Sequence, residues 1–236
     1  MKHFLYPVFS ILLSPLLVAQ GSIPTTKPQT PKKPAVPKKQ SPKKYPKLFS
    51  VGKPVDPALS LKTITGKTIS FKSLRGKVIV VHFWSTRCPF VKLSDPKMIA
   101  LAKNYAKKGV IFLAINANKT ELRHKGPKTQ GYPELKKVAK DRGLPYPILV
   151  DPGNKAADRF QARTTPHCYV IDAQGILRYQ GALDNDPRGR KREGVRHYLA
   201  EAIDAVLSGK KVQQANTRAY GCSIKRAIVK KHRRRT

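Results

Sequence analysis

The chain has 236 residues, 48 of them Lys or Arg against 13 Asp or Glu, for a formal net charge of +35. Its three cysteines, an odd number, exclude a framework of paired structural disulfides, and no Cys-x-x-Cys or His-Glu-x-x-His spacing offers a zinc, c-type haem or zincin site, so neither metal nor cofactor is expected. The basic runs lack interleaved aromatics, so specific nucleic-acid recognition is not expected either, whereas non-specific attraction to anionic polymers or membrane surfaces is.

Residues 1–20 begin with Lys2, run apolar from Phe4 to Ala19 without an acid, and are broken by Pro7, Ser14 and Pro15. A membrane-spanning helix needs about 20 apolar residues, so this segment reads as a secretory signal peptide, and the mature chain as exported to a periplasm or the exterior. A membrane-anchored form is the other reading. Residues 21–47 are proline and lysine with almost nothing to bury, a disordered linker stiffened by polyproline conformation and like charge. All 13 acids lie in 56–208, against 28 basic residues there, so the central domain is basic in its own right.

That domain spans 48–208. "LKTITGKTISF" alternates about Thr65-Gly66 and predicts a hairpin. "RGKVIVVHFW" is a continuous apolar run after a glycine turn, as a buried central strand requires. Met98, Ile99, Leu101, Ala102 and Tyr105 make a helical stripe, with Ser94-Asp95-Pro96 as a cap or kink and Gly109 as its end. "VIFLAIN" is a second buried strand. A loop with Gly126, Pro127 and Gly131 leads to a helix in "YPELKKVAKDRG", a strand in "YPILVD" and a short helix in "NKAADRFQ". "HCYVID" and "ILRYQG" form a late hairpin, and "VRHYLAEAIDAVLSG" an amphipathic helix. The alternation predicts an α/β fold, a central mixed β-sheet flanked by helices with an N-terminal β-hairpin extension. Residues 209–236 read as a basic, mobile C-terminal tail carrying "GCSIKR".

The chemistry centres on "FWSTRCPFVK". Cys88 follows an aromatic pair, Phe83-Trp84, and precedes a helix, with Arg87 before it, Lys92 after it and no acid within six residues. A helix N-terminus and neighbouring cations are what stabilise a thiolate, and the sulfur is expected to face the unpaired N–H groups of that helix. Pro89 suits the first helical turn. Ser85, three residues earlier, offers a hydroxyl to a thiolate or a bound peroxide. In "RTTPHCYV", Thr165 and Pro166 predict a special turn before a strand, a cis peptide bond being one form of it. His167 is a candidate proton donor, and Cys168 a small core residue.

"FWSTRCP" followed by "TTP" resembles the thioredoxin-like superfamily, in which a cis-proline loop packs on the active cysteine. "CPFVK", "TPH…VID…G", "GALDNDP", "VRHYLAEAIDAVLSGK" and "GCSIKR", in this order, resemble its AhpC/TSA redoxin branch, in the peroxiredoxin-like subgroup, over residues 48 to about 226. The resemblance implies a thioredoxin-like fold and a thiol oxidoreductase with Cys88 as attacking thiol. A second cysteine expected three residues on is replaced by Val91. Ser85 matches the hydroxyl of the peroxiredoxin signature, Val81 replaces its proline, and Arg163 is the candidate for its arginine. In that cycle Cys88 attacks a hydroperoxide and becomes a sulfenic acid, Cys222 resolves it, and a thioredoxin-like electron donor restores the dithiol. The alternatives are a thiol–disulfide oxidoreductase acting on protein disulfides, weakened by the missing neighbour thiol, and a non-catalytic thioredoxin-fold module held on anionic envelope surfaces. Lys92 occupies the second cysteine position of a copper chaperone, which sets that reading aside.

Overall fold

A computed structural model describes residues 47–123 and 131–227. The signal segment 1–20, nearly all of the linker 21–47, the Gly126-Pro127 stretch and the final basic run 228–236 lie outside the described residues. None of the described helices is long and apolar enough to cross a membrane.

The hairpin β1 (Ser60–Thr63) and β2 (Thr68–Ser70) is followed by a 3-10 turn, Phe71–Leu74. Then come β3 (Ile79–Phe83), α1 (Pro89–Ala106), β4 (Ile111–Asn116), the short α2 (Lys119–Leu122), α3 (Pro133–Asp141), β5 (Ile148–Val150) and α4 (Lys155–Arg159). The chain finishes with β6 (Thr164–Thr165), β7 (His167–Ile171), β8 (Leu177–Gly181), α5 (Tyr198–Leu207) and β9 (Cys222–Ser223). Seven strands form one sheet in the order β2-β1-β5-β4-β3-β7-β8, while β6 and β9 pair by themselves. β3 runs parallel to β4, and β4 to β5; β7 joins β3 antiparallel, as β1 joins β5. The hairpin thus extends one edge of a mixed sheet, as the sequence predicts.

Both faces of the sheet are covered, which is why β3 reads apolar but for the buried His82. Val80, Phe112, Ala114 and Val170 face α1 and α5 through Met98, Ala102, Leu199 and Ile203. Ile79, Val81, Phe83, Leu113 and Tyr169 face the other way, onto Phe49, Phe71 and Phe160 and the alanines of α4. Each Val, Leu, Ile, Phe or Met among them contributes about 1.5–3 kcal/mol when fully buried. Cys168 is fully buried on β7, opposite His82 of β3, and burial pushes its thiol far up. It is a core residue, as expected.

Two expectations are corrected. α1 starts at Pro89 with Cys88 as its N-cap, so of the two roles expected for Ser94-Asp95-Pro96 that of a cap is ruled out; Pro96 lies inside the helix. Asp95 is instead buried, beside Trp84 and Arg142. Nor is 209–236 a mobile tail throughout: residues 209–227 fold back along the domain. Gln180 N–H donates to Ala215 (2.9 Å), and Thr217 N–H returns a bond to Gln180 (3.1 Å). The Thr217 hydroxyl meets Tyr179 Oη at 2.6 Å and accepts from Ala182 N–H at 2.9 Å. Further on, Asn118 Oδ1 accepts from Lys225 N–H (2.9 Å) and Asn154 Oδ1 from Ala227 N–H (2.6 Å). These bonds are polar and made one residue at a time, with no apolar period to announce them.

Candidate active site

Cys88 sits where β3 ends and α1 begins, as the N-cap of the helix, with Pro89 at its first position. Its sulfur, expected to face the helix N–H groups, makes no capping bond there; Sγ lies 2.9 Å from the carbonyl oxygen of Thr165, and the residue is 2 % exposed. Thr165 precedes Pro166 across a cis peptide bond. The loop carrying both is therefore the roof over the cysteine.

The same roof receives the C-terminal segment. β9 pairs antiparallel with β6, Thr165 opposite Cys222 and Thr164 opposite Ser223, and Ile224 N–H continues the ladder to the Arg163 carbonyl at 3.0 Å. This register brings Cys222 Sγ to 2.8 Å from Cys88 Sγ. Both are free thiols. Two cysteines 134 positions apart thus form a dithiol in a place where the sequence, with Val91 three residues after Cys88, shows one thiol. Burial first, then the neighbouring Cys88 sulfur, push the Cys222 thiol up to about 11, against the opposing pull of the Phe90 backbone N–H and Lys225.

The loop before Cys88 is held by a residue the sequence reading passed over. Glu121, buried on α2, accepts from the Ser85 hydroxyl (2.5 Å) through one oxygen, and from Thr86 N–H (2.8 Å), the Thr86 hydroxyl (2.9 Å) and Asn116 Nδ2 (2.7 Å) through the other. Ser85 Oγ in turn accepts from Arg87 N–H at 3.2 Å. On the other side, Arg142 donates to the Thr86 carbonyl and to Asp95, both at 2.8 Å, while Trp84 Nε1 donates to Asp95 at 3.2 Å. Burial raises the Asp95 carboxyl despite the pairing with Arg142 and the bond from Trp84. The acid in "NKTELRHKG" looks like a surface charge because its partners come from the loop between β3 and α1 and from the end of β4.

The remaining candidates are placed as follows. Trp84 is fully buried and braces the loop. Ser85 is committed to Glu121. Arg87 is exposed and pairs with Glu134 of α3 at 3.4 Å. Arg163 is exposed and gives its backbone carbonyl to Ile224. His167 stacks on Tyr169, ring centroids 4.7 Å apart, and its Nδ1 has no hydrogen-bond partner. Burial, with the Arg163 charge behind it, pushes its pKa down to about 4, which favours the neutral ring. The structure therefore gathers Cys88, Cys222, Thr165 and Pro166 at one point, braces them with Trp84 and Ser85, and leaves Arg87, Arg163 and His167 to other contacts.

Residues 51–180 match the AhpC/TSA family. Among curated proteins, the chain is 30 % identical over 117 residues to thiol-disulfide oxidoreductase ResA of Halalkalibacterium halodurans, covering 50 % of this chain and 60 % of that one. It is likewise 30 % identical over 121 residues to thioredoxin-like protein YneN of Bacillus subtilis, covering 51 % and 65 %. The matched stretch is thus less than two thirds of these relatives' length. Among solved structures, it resembles an uncharacterized conserved protein from Geobacillus kaustophilus, with a TM-score of 0.67 and 31 % identity over 77 % of this chain and 95 % of that one. A hypothetical protein, SMc02350 of Sinorhizobium meliloti, follows at 0.65 and 27 % over 76 % and 97 %.

Proposed function

From the premise that this chain belongs to the AhpC/TSA family of thioredoxin-like proteins, we propose that it is a thiol–disulfide oxidoreductase whose dithiol is Cys88 with Cys222. The observation that carries the reading is the 2.8 Å approach of the two sulfurs. It supplies the second thiol whose absence from the local sequence argues against disulfide exchange. The ResA relatives support the same reading.

The chemistry is two successive exchanges. The Cys88 thiolate attacks one sulfur of a substrate disulfide, the S–S bond breaks, and the departing sulfur leaves as a thiolate that takes up a proton. The Cys222 thiolate then attacks the Cys88 sulfur of the mixed disulfide and expels the second substrate thiolate. Two electrons have passed to the substrate, and the dithiol has become a Cys88–Cys222 disulfide. A thioredoxin-like donor dithiol reverses the sequence. Because Cys88 is buried beneath β9, the first attack requires the Cys222 segment to lift, and the second requires it to return. Thr165, by its carbonyl, and Pro166 form the surface against which both sulfurs are held.

The peroxidase reading has less support. A hydroperoxide needs a free hydroxyl and a cation beside the sulfur; Ser85 is bonded to Glu121, Arg87 to Glu134, and Arg163 is exposed. Export of the mature chain is part of the proposal, resting on residues 1–20. The test is direct. The reduced chain is mixed with a protein disulfide or with one equivalent of hydrogen peroxide, and thiols are mapped by non-reducing mass spectrometry. Reduction of the protein disulfide with a Cys88–Cys222 product, and a mixed disulfide trapped on Cys88 by Cys222→Ser, is expected. Rapid peroxide loss with the protein disulfide untouched would overturn the reading in favour of the peroxidase.

A further inference from the structure

Residues 182–197 join β8 to α5 and are tied through Asp184 to Tyr220, two residues before Cys222. The carboxylates of this stretch that are buried turn inward. Asp184 accepts from Lys97 Nζ (2.7 Å), from the Tyr220 hydroxyl (2.9 Å) and from Asp186 N–H (2.9 Å). Asp186 accepts from the backbone N–H groups of Arg190 (2.9 Å) and Lys191 (3.3 Å). These bonds shape the loop and consume its buried negative charge. Arg188, Arg190 and Lys191 are exposed, and none has a salt bridge among the described residues.

Against these cations lies an open groove of about 440 Å³, with Asn185 and the already bonded Asp186 also in its wall. Its apolar lining is Pro187, Phe90 and Tyr220, the two rings 6.2 Å apart. Phe90 is two residues after Cys88 and Tyr220 two before Cys222, so each sulfur's own segment supplies one ring. An apolar floor with a guanidinium and ammonium rim suits an extended chain that bears carboxylates and an occasional apolar side chain. No buried donor converges on one point, as a small anion would need. The charge of 56–208, 28 basic against 13 acidic residues, steers such a chain in from a distance.

We propose that this groove seats an acidic stretch of the disulfide-bearing polypeptide substrate, next to its reacting cysteine. The proposal rests on the thiol–disulfide reading and names the substrate class.

The test separates binding from chemistry. Fluorescent twelve-residue peptides with Ser in place of Cys, one flanked by Glu and Asp and one by Gln and Asn, are titrated with the full chain at two ionic strengths. The acidic peptide is expected to bind about tenfold tighter, as three exposed charge contacts allow, with the gap narrowing in salt. Arg188→Gln, Arg190→Gln and Lys191→Gln together remove the preference. Lys62→Gln, Lys67→Gln and Lys72→Gln together, at the opposite edge of the sheet, keep it. Equal binding of the two peptides would overturn the proposal, as would equal loss in both triple variants, which is the signature of bulk charge. So would groove-dependent capture by phosphatidylglycerol vesicles without a peptide preference, which would assign the surface to membrane. Turnover of a small uncharged disulfide by the wild-type chain tests the redox reading separately, and its failure leaves the peptide result standing.

Discussion

No side chain fits between Gly221 and Thr165. A Cβ on Gly221 would lie 2.0 Å from the Thr165 carbonyl oxygen and 3.2 Å from Pro166 Cδ, and Gly221 has φ of +122°. The residue before Cys222 is therefore glycine because the backbone of β9 lies directly against the roof of the site. Gly221→Ala combines backbone strain with a clash against backbone, which cannot move aside as a flexible side chain does. We expect it to weaken the docking of β9 by about 1–3 kcal/mol, moving the dithiol–disulfide equilibrium by up to about 5- to 150-fold toward the dithiol. Thiol quantification in glutathione buffers of graded potential reads this shift, and an unchanged midpoint would show that the close approach does not govern the pair.

Labelling kinetics test the environment of Cys222. With its thiol raised to about 11 by burial and the Cys88 sulfur, the thiolate fraction of the reduced protein grows about tenfold per pH unit through pH 8 and 9. Iodoacetamide labelling of Cys222, followed by peptide mass spectrometry, is expected to rise in step without levelling below pH 10. Cys88→Ser removes the sulfur neighbour and brings the inflection down. Cys168, buried and pushed further up, is expected to stay unlabelled until the chain unfolds.

Glu121 is expected to hold the loop before Cys88 by its four accepted bonds. Glu121→Ala strands buried donors and costs about 3–5 kcal/mol in urea unfolding. Glu121→Gln keeps the shape and an oxygen but loses charge assistance, about 1–2 kcal/mol. Equal, small losses in both would mean that the loop is held by the Trp84–Asp95–Arg142 side instead.

His82 sets an acid limit on stability. Burial lowers its pKa to about 3 in the folded chain, against an ordinary value of 6.5. Between those values the unfolded chain binds the extra proton, so stability is complete above about pH 6.5 and falls as the pH drops toward 3, by up to about 1.4 kcal/mol per unit. His167, lowered to about 4, acts in the same direction. Urea midpoints from pH 7 to 4 are expected to fall steeply in the wild type and less steeply in His82→Leu. Parallel slopes would sink the assignment.

The sheet was legible where burial leaves a period or a run. "VIVVHFW" and "VIFLAIN" are covered on both faces and read apolar, and the helices of "VRHYLAEAIDAVLSG" and "YPELKKVAKDRG" show a stripe. Cys88 stood out as a candidate because a thiol at the junction of such a strand with a proline-started helix has few structural uses, and the placement of the helix start was legible with it. The partnership with Cys222 was named in the sequence only as an option, since residues 209–227 carry no periodic signal. Their position depends on single contacts such as Thr217 with Tyr179, and on glycines 181 and 221, whose need for small size appears only when another backbone is seen beside them. Glu121 was illegible for the same reason, since Ser85 and Thr86, which take three of its four bonds, are far away in the sequence.

A Cys-x-x-Cys pair closes almost no chain when it oxidises. A bond between Cys88 and Cys222 would ring 134 positions, enclosing every element from α1 to the last strand. Denying the unfolded chain that much freedom favours the folded form by about 4–5 kcal/mol in the chain-entropy account. By thermodynamic reciprocity, folding favours the bond equally. Heat and proteases would then distinguish the two redox states of this domain, the oxidised one outlasting the reduced, and each turnover of the sulfurs would fasten or release the fold as a whole.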